Sequence, residues 1–326
     1  CYWGGSSITC WMSKEQLAKL ESGKNYLENY AALVGEKSSQ QYTKEMEEYN
    51  CAYQHWLKST EEVKQKDPQA SWKEIHKICG ECPWPQPVGW QSPFRPNGLH
   101  ETMIRRIAPY SLRGFLYYQG EEDVQRYADY SDMMQMLVKQ WRMDWNDWNL
   151  PFLFVQLPMY LADGEKDDSY WALQREQQYI ASMMIQNAGM ISLADCGEYD
   201  NIHPLDKKTP GERLFQLAKN LVYDKQGTIT ATAAQLFSDN GKLYVTFDHL
   251  HEKLVMQTAN GCPFEISGED NLFYPAKADV IHGNMLCISN PAVKFPSAVK
   301  YAWYNFGEAA LFTESGNPVS PFFKCV

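Results

Sequence analysis

Three rhythms of apolar and polar positions follow one another along the chain. In the first, from about Lys14 to Cys79, charged residues dominate and apolar ones recur at three- and four-residue steps, as at Met46, Tyr49, Tyr53 and Trp56. That spacing lays one stripe along one face of a helix. Ser13 with Gln16, and Ser71 with Glu74, have the form of N-terminal capping boxes, and Gly80 supplies a stop. The pattern predicts a helical insertion over about residues 14–80, its stripe packed against the main domain. Cys82–Pro96 then holds five prolines with aromatics between them. Missing N–H groups and fixed φ angles make this an irregular surface loop, not a helix or a central strand.

In the second rhythm, short apolar runs alternate with helical periods. Arg113–Tyr118, Leu150–Leu157 and Met190–Ala194 read as buried strands; Val124–Trp141 and Tyr170–Gln186 read as helices between them. Thr209-Pro210-Gly211-Glu212 has an N-cap, a proline at the first helical position and an acid three residues on, which predicts a helix to about Tyr223. Strands alternating with helices imply right-handed crossovers and a parallel sheet covered on both faces. The third rhythm starts at Gly227 and consists of short strands and turns: Lys242–Asp248, Phe264–Ile266, Ala278–Ile281, Met285–Ser289 and Val299–Trp303. The expectation is an α/β domain over 1–225 and a β-rich module over 226–326.

Composition narrows the class. With 44% hydrophobic and 14% aromatic residues in 326, a sizeable core can be buried. A net charge of −10 with no Lys/Arg run argues against nucleic acid as a partner. No apolar run reaches the about 18 residues of a membrane-spanning helix, so no membrane partner is expected. Nine scattered cysteines, an odd number, suggest free thiols and lean toward a reducing, cytoplasmic compartment. Cys79 and Cys82 form a lone C-x-x-C near His76; a zinc site needs about four ligands, no second pair stands at matching spacing, and two ordinary thiols are expected instead. Residue 1 is Cys, not Met, so the natural N-terminus and any targeting signal are expected to lie outside this sequence. Oligomeric state is left open.

Ligands of an open parallel sheet bind beyond the carboxyl ends of its strands. Three polar segments stand at such ends. Asp200-Asn201-Ile202-His203-Pro204 puts a carboxylate three residues before a histidine, a spacing at which Asp200 can accept from one ring nitrogen of His203 and leave the other as a base. The plainer reading is a histidine capping the next helix and an aspartate in a turn. In Tyr118–Asp123, Gln119 offers an amide N–H suited to an oxyanion and Gly120 permits close approach. Glu121, Glu122 and Asp123 suit the following helix dipole, with Glu121 near enough for a supporting role. In Gly4-Gly5-Ser6-Ser7 the serines are either a nucleophile or caps beside an anion-binding turn.

Trp3-Gly4-Gly5-Ser6, Tyr118-Gln119-Gly120-Glu121 and Asp200-x-x-His203-Pro204, in that order, resemble the sialate O-acetylesterase family of the SGNH hydrolase superfamily. The resemblance extends through Arg95-Pro96-Asn97-Gly98-Leu99, Leu150-Pro151-Phe152, Tyr301-Ala302-Trp303 and Ser320-Pro321-Phe322. It implies an SGNH-hydrolase-like fold and removal of acetyl groups from sugar hydroxyls through an acyl-enzyme, with an O-acetylated sugar or oligosaccharide as substrate and no metal or organic cofactor. It also implies that His203 is the base, Asp200 its carboxylate partner, and Gly4, Gly5 and Gln119 the oxyanion hole. In that family the nucleophilic serine lies in a Gly-Gln-Ser-Asn segment ahead of the Gly-Gly block. No such segment occurs here, since Gln91-Ser92 is followed by Pro93 in the proline-rich loop. The nucleophile is therefore expected to be missing from this chain and the chain alone to be inactive. Two rivals remain at this point: an acetyl xylan or other polysaccharide deacetylase on the same scaffold, and a non-catalytic carbohydrate-binding relative. Trp84, Trp90, Phe94 and Trp171 would suit a sugar surface in each case, or simply pack the loops they stand in.

Overall fold

The computed structural model describes residues 1–35 and 37–326; Glu36, inside the expected helical insertion, lies outside the described residues. Two compact units part at Tyr110: residues 1–110 with 132–147 form the first, and 111–131 with 148–326 the second. The cut expected at residue 226 falls inside the second unit.

The first unit is helical. Short α1 (Lys14–Leu17) leads to α2 (Glu21–Gly35), α3 (Ser39–Lys66) and α4 (Trp72–Cys79). Ser71 and Glu74 make the full reciprocal capping box at α4, and Gly80, at φ 77°, ends it. At α1 only half of the box forms: the Ser13 hydroxyl accepts from the Gln16 amide, but the Ser13 N–H goes to Gln140 Oε1 at 2.9 Å. The apolar stripe of α3 faces α4 instead of the main domain. Tyr49, Tyr53, Trp56 and Trp72 stack at successive centroid distances of 5.8, 6.2 and 6.4 Å, with His76 a further 5.8 Å on. Pairing of α3 with α4 offers flat rings a partner at once, so the insertion stacks its own aromatics, with Trp56 buried and the others half-buried. After the proline-rich loop, a π-turn at His100–Ile104 runs into α5 (Arg105–Ile107). Most of α6 (Tyr130–Asp144) completes this unit, with Met133, Met134, Leu137, Val138 and Trp141 buried along one face.

The second unit holds the sheet. Strands β1 (Phe115–Tyr117), β2 (Phe152–Gln156) and β3 (Ala188–Ser192) are parallel in the order β1-β2-β3, with Phe115 beside Phe152 and Phe152 beside Ala188. Every residue of β2 is buried, as a central strand covered on both faces requires. On one face Leu153, Val155, Ile191 and Leu193 pack with Leu217 of α8 (Lys208–Leu221). On the other, Gln156 Nε2 reaches the Arg175 carbonyl of α7 (Tyr170–Met184) at 3.1 Å and Ser320 Oγ at 2.9 Å. The helix expected from Val124 begins earlier and tighter, as a 3-10 segment over Glu121–Asp129.

Beyond α8 the chain is antiparallel. One sheet has the order β4-β5-β10-β9, a second β13-β11-β7-β8, and β12 pairs with β6. Their ranges are β4 Thr232–Asp239, β5 Lys242–Asp248, β6 Leu254–Met256, β7 Phe264–Ser267, β8 Tyr274–Pro275, β9 Lys277–Ile281, β10 Met285–Ser289, β11 Ala298–Tyr301, β12 Leu311–Thr313 and β13 Phe322–Cys325. Asn240 and Gly241, both at positive φ, close the β4–β5 hairpin, the pairing of residues that a tight two-residue turn favours. Leu243, Val245, Ile266, Leu286, Ile288, Val299 and Tyr301 form the shared core.

Close packing of α8 on β3 gives a first test. A Cβ on Gly189 would stand 2.4 Å from Leu221 Cδ1 and 3.0 Å from Leu217 Cδ1. Gly189→Ala is expected to lower stability by about 1–3 kcal/mol through overpacking, read as a fall in the urea midpoint at unchanged m.

Candidate active site

Three loops gather at the carboxyl ends of the second unit's sheet, and a small apolar cluster joins them. Val124 from the 3-10 segment, Leu157 from the end of β2 and Trp171 from α7 are buried together, and Ile202 packs against them. Ile202 immediately precedes His203, so this contact brings the histidine loop to the strand ends that carry Gln119.

Gln119 is held from every side. Its Oε1 accepts from Tyr117 Oη at 3.1 Å and Tyr130 Oη at 3.0 Å, and its Nε2 donates to Asp123 Oδ2 at 2.7 Å. Its backbone carbonyl accepts from Tyr130 Oη at 3.0 Å and Gln178 Nε2 at 3.2 Å. Gln178, 0% exposed, also donates to the Val155 carbonyl and accepts from the Leu157 N–H, tying the ends of β1 and β2 together. Such a network fixes the plane of the Gln119 amide, since each rotation would strand a buried polar atom. Gly120 sits at φ 148°, and a Cβ there would crowd Gln178, Gln174 and Leu157 at 3.1–3.2 Å. A glycine is required at that turn on both counts.

Glu121 and Tyr118 line the next part of the rim. Enclosure pushes the Glu121 carboxyl above its usual range; Lys207 works against the shift and Asp123 adds to it. Enclosure and the Glu121 charge likewise push the Tyr118 phenol up. The Lys207 ammonium stands 5.5 Å from the centre of the Tyr118 ring.

His203 is exposed, and its ring has no hydrogen-bond partner among the described residues. Its backbone N–H donates to Asn201 Oδ1 at 3.0 Å. Partial desolvation, and then the Lys207 charge, hold its pKa below the usual histidine value. The neutral imidazole is thereby favoured, which is the form a general base needs.

The Asp200–His203 hydrogen bond expected from their spacing is not formed. Asp200 adopts a left-handed conformation at φ 57°, its N–H donates to the Leu161 carbonyl at 2.9 Å, and its Oδ1 accepts from the Asp163 N–H at 2.9 Å. The turn thus aims the carboxylate at the 161–163 segment. What shapes the loop is Glu198: Oε2 accepts from Asn201 Nδ2 and Oε1 from the Leu205 N–H, both at 2.6 Å. Glu198 and Gln178 were both missed from sequence. Gln178 had a visible signal, a polar residue in register with Trp171 and Ala181 on a core-facing helix stripe; Glu198 had none, lying in a loop rich in other acids.

In the first unit, Gly5 is in a left-handed turn at φ 64°, and both following serines are engaged. Ser6 Oγ donates to the Trp3 carbonyl at 2.7 Å and accepts from Trp11 Nε1 at 2.9 Å. Ser7 Oγ accepts from the Thr9 N–H at 3.3 Å and lies 3.1 Å from Thr9 Oγ1, capping the short helix Ile8–Trp11. All nine cysteines are free thiols. Among the described residues, no group of three His, Cys, Asp or Glu is placed to share a metal ion, and no helix is long and apolar enough to cross a membrane.

A mixed α/β scaffold with polar loops at the ends of parallel strands places a candidate ligand site beyond those ends, and comparison with known proteins narrows the class. Residues 87–219 match the family model described as carbohydrate esterase, sialic acid-specific acetylesterase. Sialate O-acetylesterase of Mus musculus is 26% identical over 260 residues, covering 71% of this chain and 47% of that protein. The Homo sapiens sialate O-acetylesterase is 25% identical over 208 residues, covering 58% and 39%. The crystal structure of a carbohydrate acetylesterase from Xanthomonas citri superimposes with a TM-score of 0.65 at 32% identity, covering 69% of this chain and 53% of that one. The family model, the curated relatives and the solved structure are all described as acetylesterases, so the chain is similar to the sialate O-acetylesterases among the carbohydrate esterases. It spans about half the length of these relatives.

The Lys207 effect on His203 is directly measurable. Removing a cation favours the imidazolium, so Lys207→Gln is expected to raise the His203 titration midpoint, followed by proton–nitrogen NMR of the ring. An unchanged midpoint would show that Lys207 does not act on this ring.

Proposed function

We propose that this chain carries the base-bearing part of a carbohydrate O-acetylesterase site, one that removes acetyl esters from sugar hydroxyls through a Ser-His-Asp acyl-enzyme. The observation that supports the reading is the packing of Ile202, the residue before His203, against Val124, Leu157 and Trp171 near the ends of the parallel strands. His203, kept neutral by its surroundings, would take the proton of a serine hydroxyl. The alkoxide oxygen then bonds to the acetyl carbonyl carbon, and the negative charge passes to the carbonyl oxygen. Gln119 would donate an N–H to that oxyanion. On collapse of the intermediate, His203 returns its proton to the departing sugar oxygen; it next takes one from water, whose attack frees acetate and the serine.

For Gly4 and Gly5 the family resemblance is the whole support for an oxyanion role, and it supports Asp200 as the orienting carboxylate as well. Asp200 Oδ1 is occupied by the Asp163 N–H, whereas Oδ2 has no partner among the described residues. In this reading Oδ2 is the oxygen that takes the His203 ring N–H after a small turn of the loop. Glu121, enclosed and beside Lys207, supports the rim. The nucleophile is proposed to be the serine of a Gly-Gln-Ser-Asn segment, which the family resemblance implies and these 326 residues do not include; the Ser6 and Ser7 hydroxyls serve Trp3, Trp11 and Thr9.

The test is hydrolysis of an O-acetylated sialic acid by the natural full-length protein. His203→Ala is expected to reduce kcat by about 10³–10⁴-fold with folding and sugar binding retained. Turnover that survives the substitution would overturn the assignment. Sugar binding without turnover in the parent would instead identify a non-catalytic carbohydrate binder, and preference for acetylated xylan would identify the polysaccharide deacetylase.

A further inference from the structure

We propose that Trp84 is a stacking platform beside the Gly4–Gly5 turn that takes the apolar C–H face of a pyranose ring. This deepens the carbohydrate reading above and rests on it. Every residue that carries the argument lies in the first unit.

The Trp84 indole lies on the glycine turn. A Cβ on Gly5 would stand 2.5 Å from Trp84 Cη2 and 2.7 Å from Cζ2, so the ring occupies the space that any larger residue would need. Phe94 meets the same indole edge-on, at a centroid distance of 5.4 Å and an interplanar angle of 88°. Trp84 is thus set from two sides, yet it stays 46% exposed. An exposed apolar ring is unremarkable when it is loose on a surface. A fixed one keeps its flat face in water at a standing cost and can bind without losing rotamer freedom.

The polar edge of the ring points the same way. The indole N–H groups of Trp11, Trp56, Trp141 and Trp145 each donate to a protein acceptor. That of Trp84, like those of Trp3, Trp72, Trp90, Trp148, Trp171 and Trp303, donates to none among the described residues. Gly4, next to the contact, has no atom within 4 Å of where a Cβ would sit, so one side of the turn is open to a ligand. A sugar presents a C–H face rimmed by hydroxyls, and a flat apolar ring with a spare N–H donor at its edge complements both. A purely structural Trp84 would need the contacts with Gly5 and Phe94 but not the exposed face.

The experiment titrates the chain with N-acetylneuraminic acid, following the Trp84 indole N–H by NMR and affinity by calorimetry. A saturable shift of that resonance is expected. Trp84→Ala should weaken binding by about tenfold or more, and Trp84→Phe, which keeps a flat face, should weaken it less. Circular dichroism and the urea midpoint of Trp84→Phe show whether the fold is intact if the alanine variant is not. An unmoved indole resonance, equal binding by Trp84→Ala, or no saturable binding in the millimolar range would overturn the platform. His203→Ala separates the two proposals, since it should leave the Trp84 shift in place. Sugar held at Trp84 by a protein that hydrolyses no acetyl ester would sink the esterase reading and keep the platform. Hydrolysis with unchanged KM in Trp84→Ala would do the reverse.

Discussion

Packing of Ile202 against Val124, Leu157 and Trp171 is the contact on which the candidate site depends. These four residues come from four places in the chain: the histidine loop, the 3-10 segment, the end of β2 and the start of α7. Besides that cluster, the histidine loop is tied by Glu198 with Asn201 and Leu205, by Asp200 with Leu161 and Asp163, and by Tyr199 against Phe306. Burial of the isoleucine supplies a non-directional pull toward the sheet, and Glu198 sets the direction of the turn. Gln178 does the matching work inside, joining Gln119, Val155 and Leu157 through one fully buried amide. Small losses in this network would be felt as misplacement of the Gln119 and His203 loops before they were felt as unfolding.

Charge around the site is arranged unevenly. Lys207 is the cation that acts on both His203 and Glu121, disfavouring the imidazolium and favouring the glutamate anion. Enclosure outweighs it at Glu121 and acts with it at His203. The result is an imidazole held toward its neutral form and a carboxyl group inclined to keep its proton. Farther along the β3 end, Arg213 makes two hydrogen bonds of 2.6 and 2.7 Å to Asp195, a pair that fixes the loop before Cys196. That bidentate pair neutralises its own charge and leaves the field at His203 to Lys207.

Much of the scaffold was legible because its signals are local. The Ser71–Glu74 box and the buried runs at Leu150–Leu157 and Met190–Ala194 each depend on a few neighbouring residues, as does α8, although it starts at Lys208 and not at Pro210. What escaped depends on partners distant in sequence. The α3 stripe was legible as a stripe, but nothing local said that it would stack on Trp72. Ser13 reads as a full box until Gln140, 127 residues away, takes its N–H. Strand β4 went unread because Thr232–Asp239 alternates weakly and carries an irregular register between Ala233 and Leu236. At the site, the three segments were legible as motifs, and the meeting of two of them at one sheet end is a matter of geometry. The Asp200 orientation was not legible, since D-x-x-H spacing permits a hydrogen bond that a left-handed Asp200 turns away from.

On the proposed function, this chain supplies the base side of an esterase site and its first serines are structural. Treating the folded chain with a fluorophosphonate serine probe and mapping adducts by mass spectrometry tests it most directly. The account predicts no adduct at Ser6 or Ser7, whose hydroxyls are committed to Trp3, Trp11 and Thr9. A stoichiometric adduct on either serine would contradict it and make that residue the nucleophile.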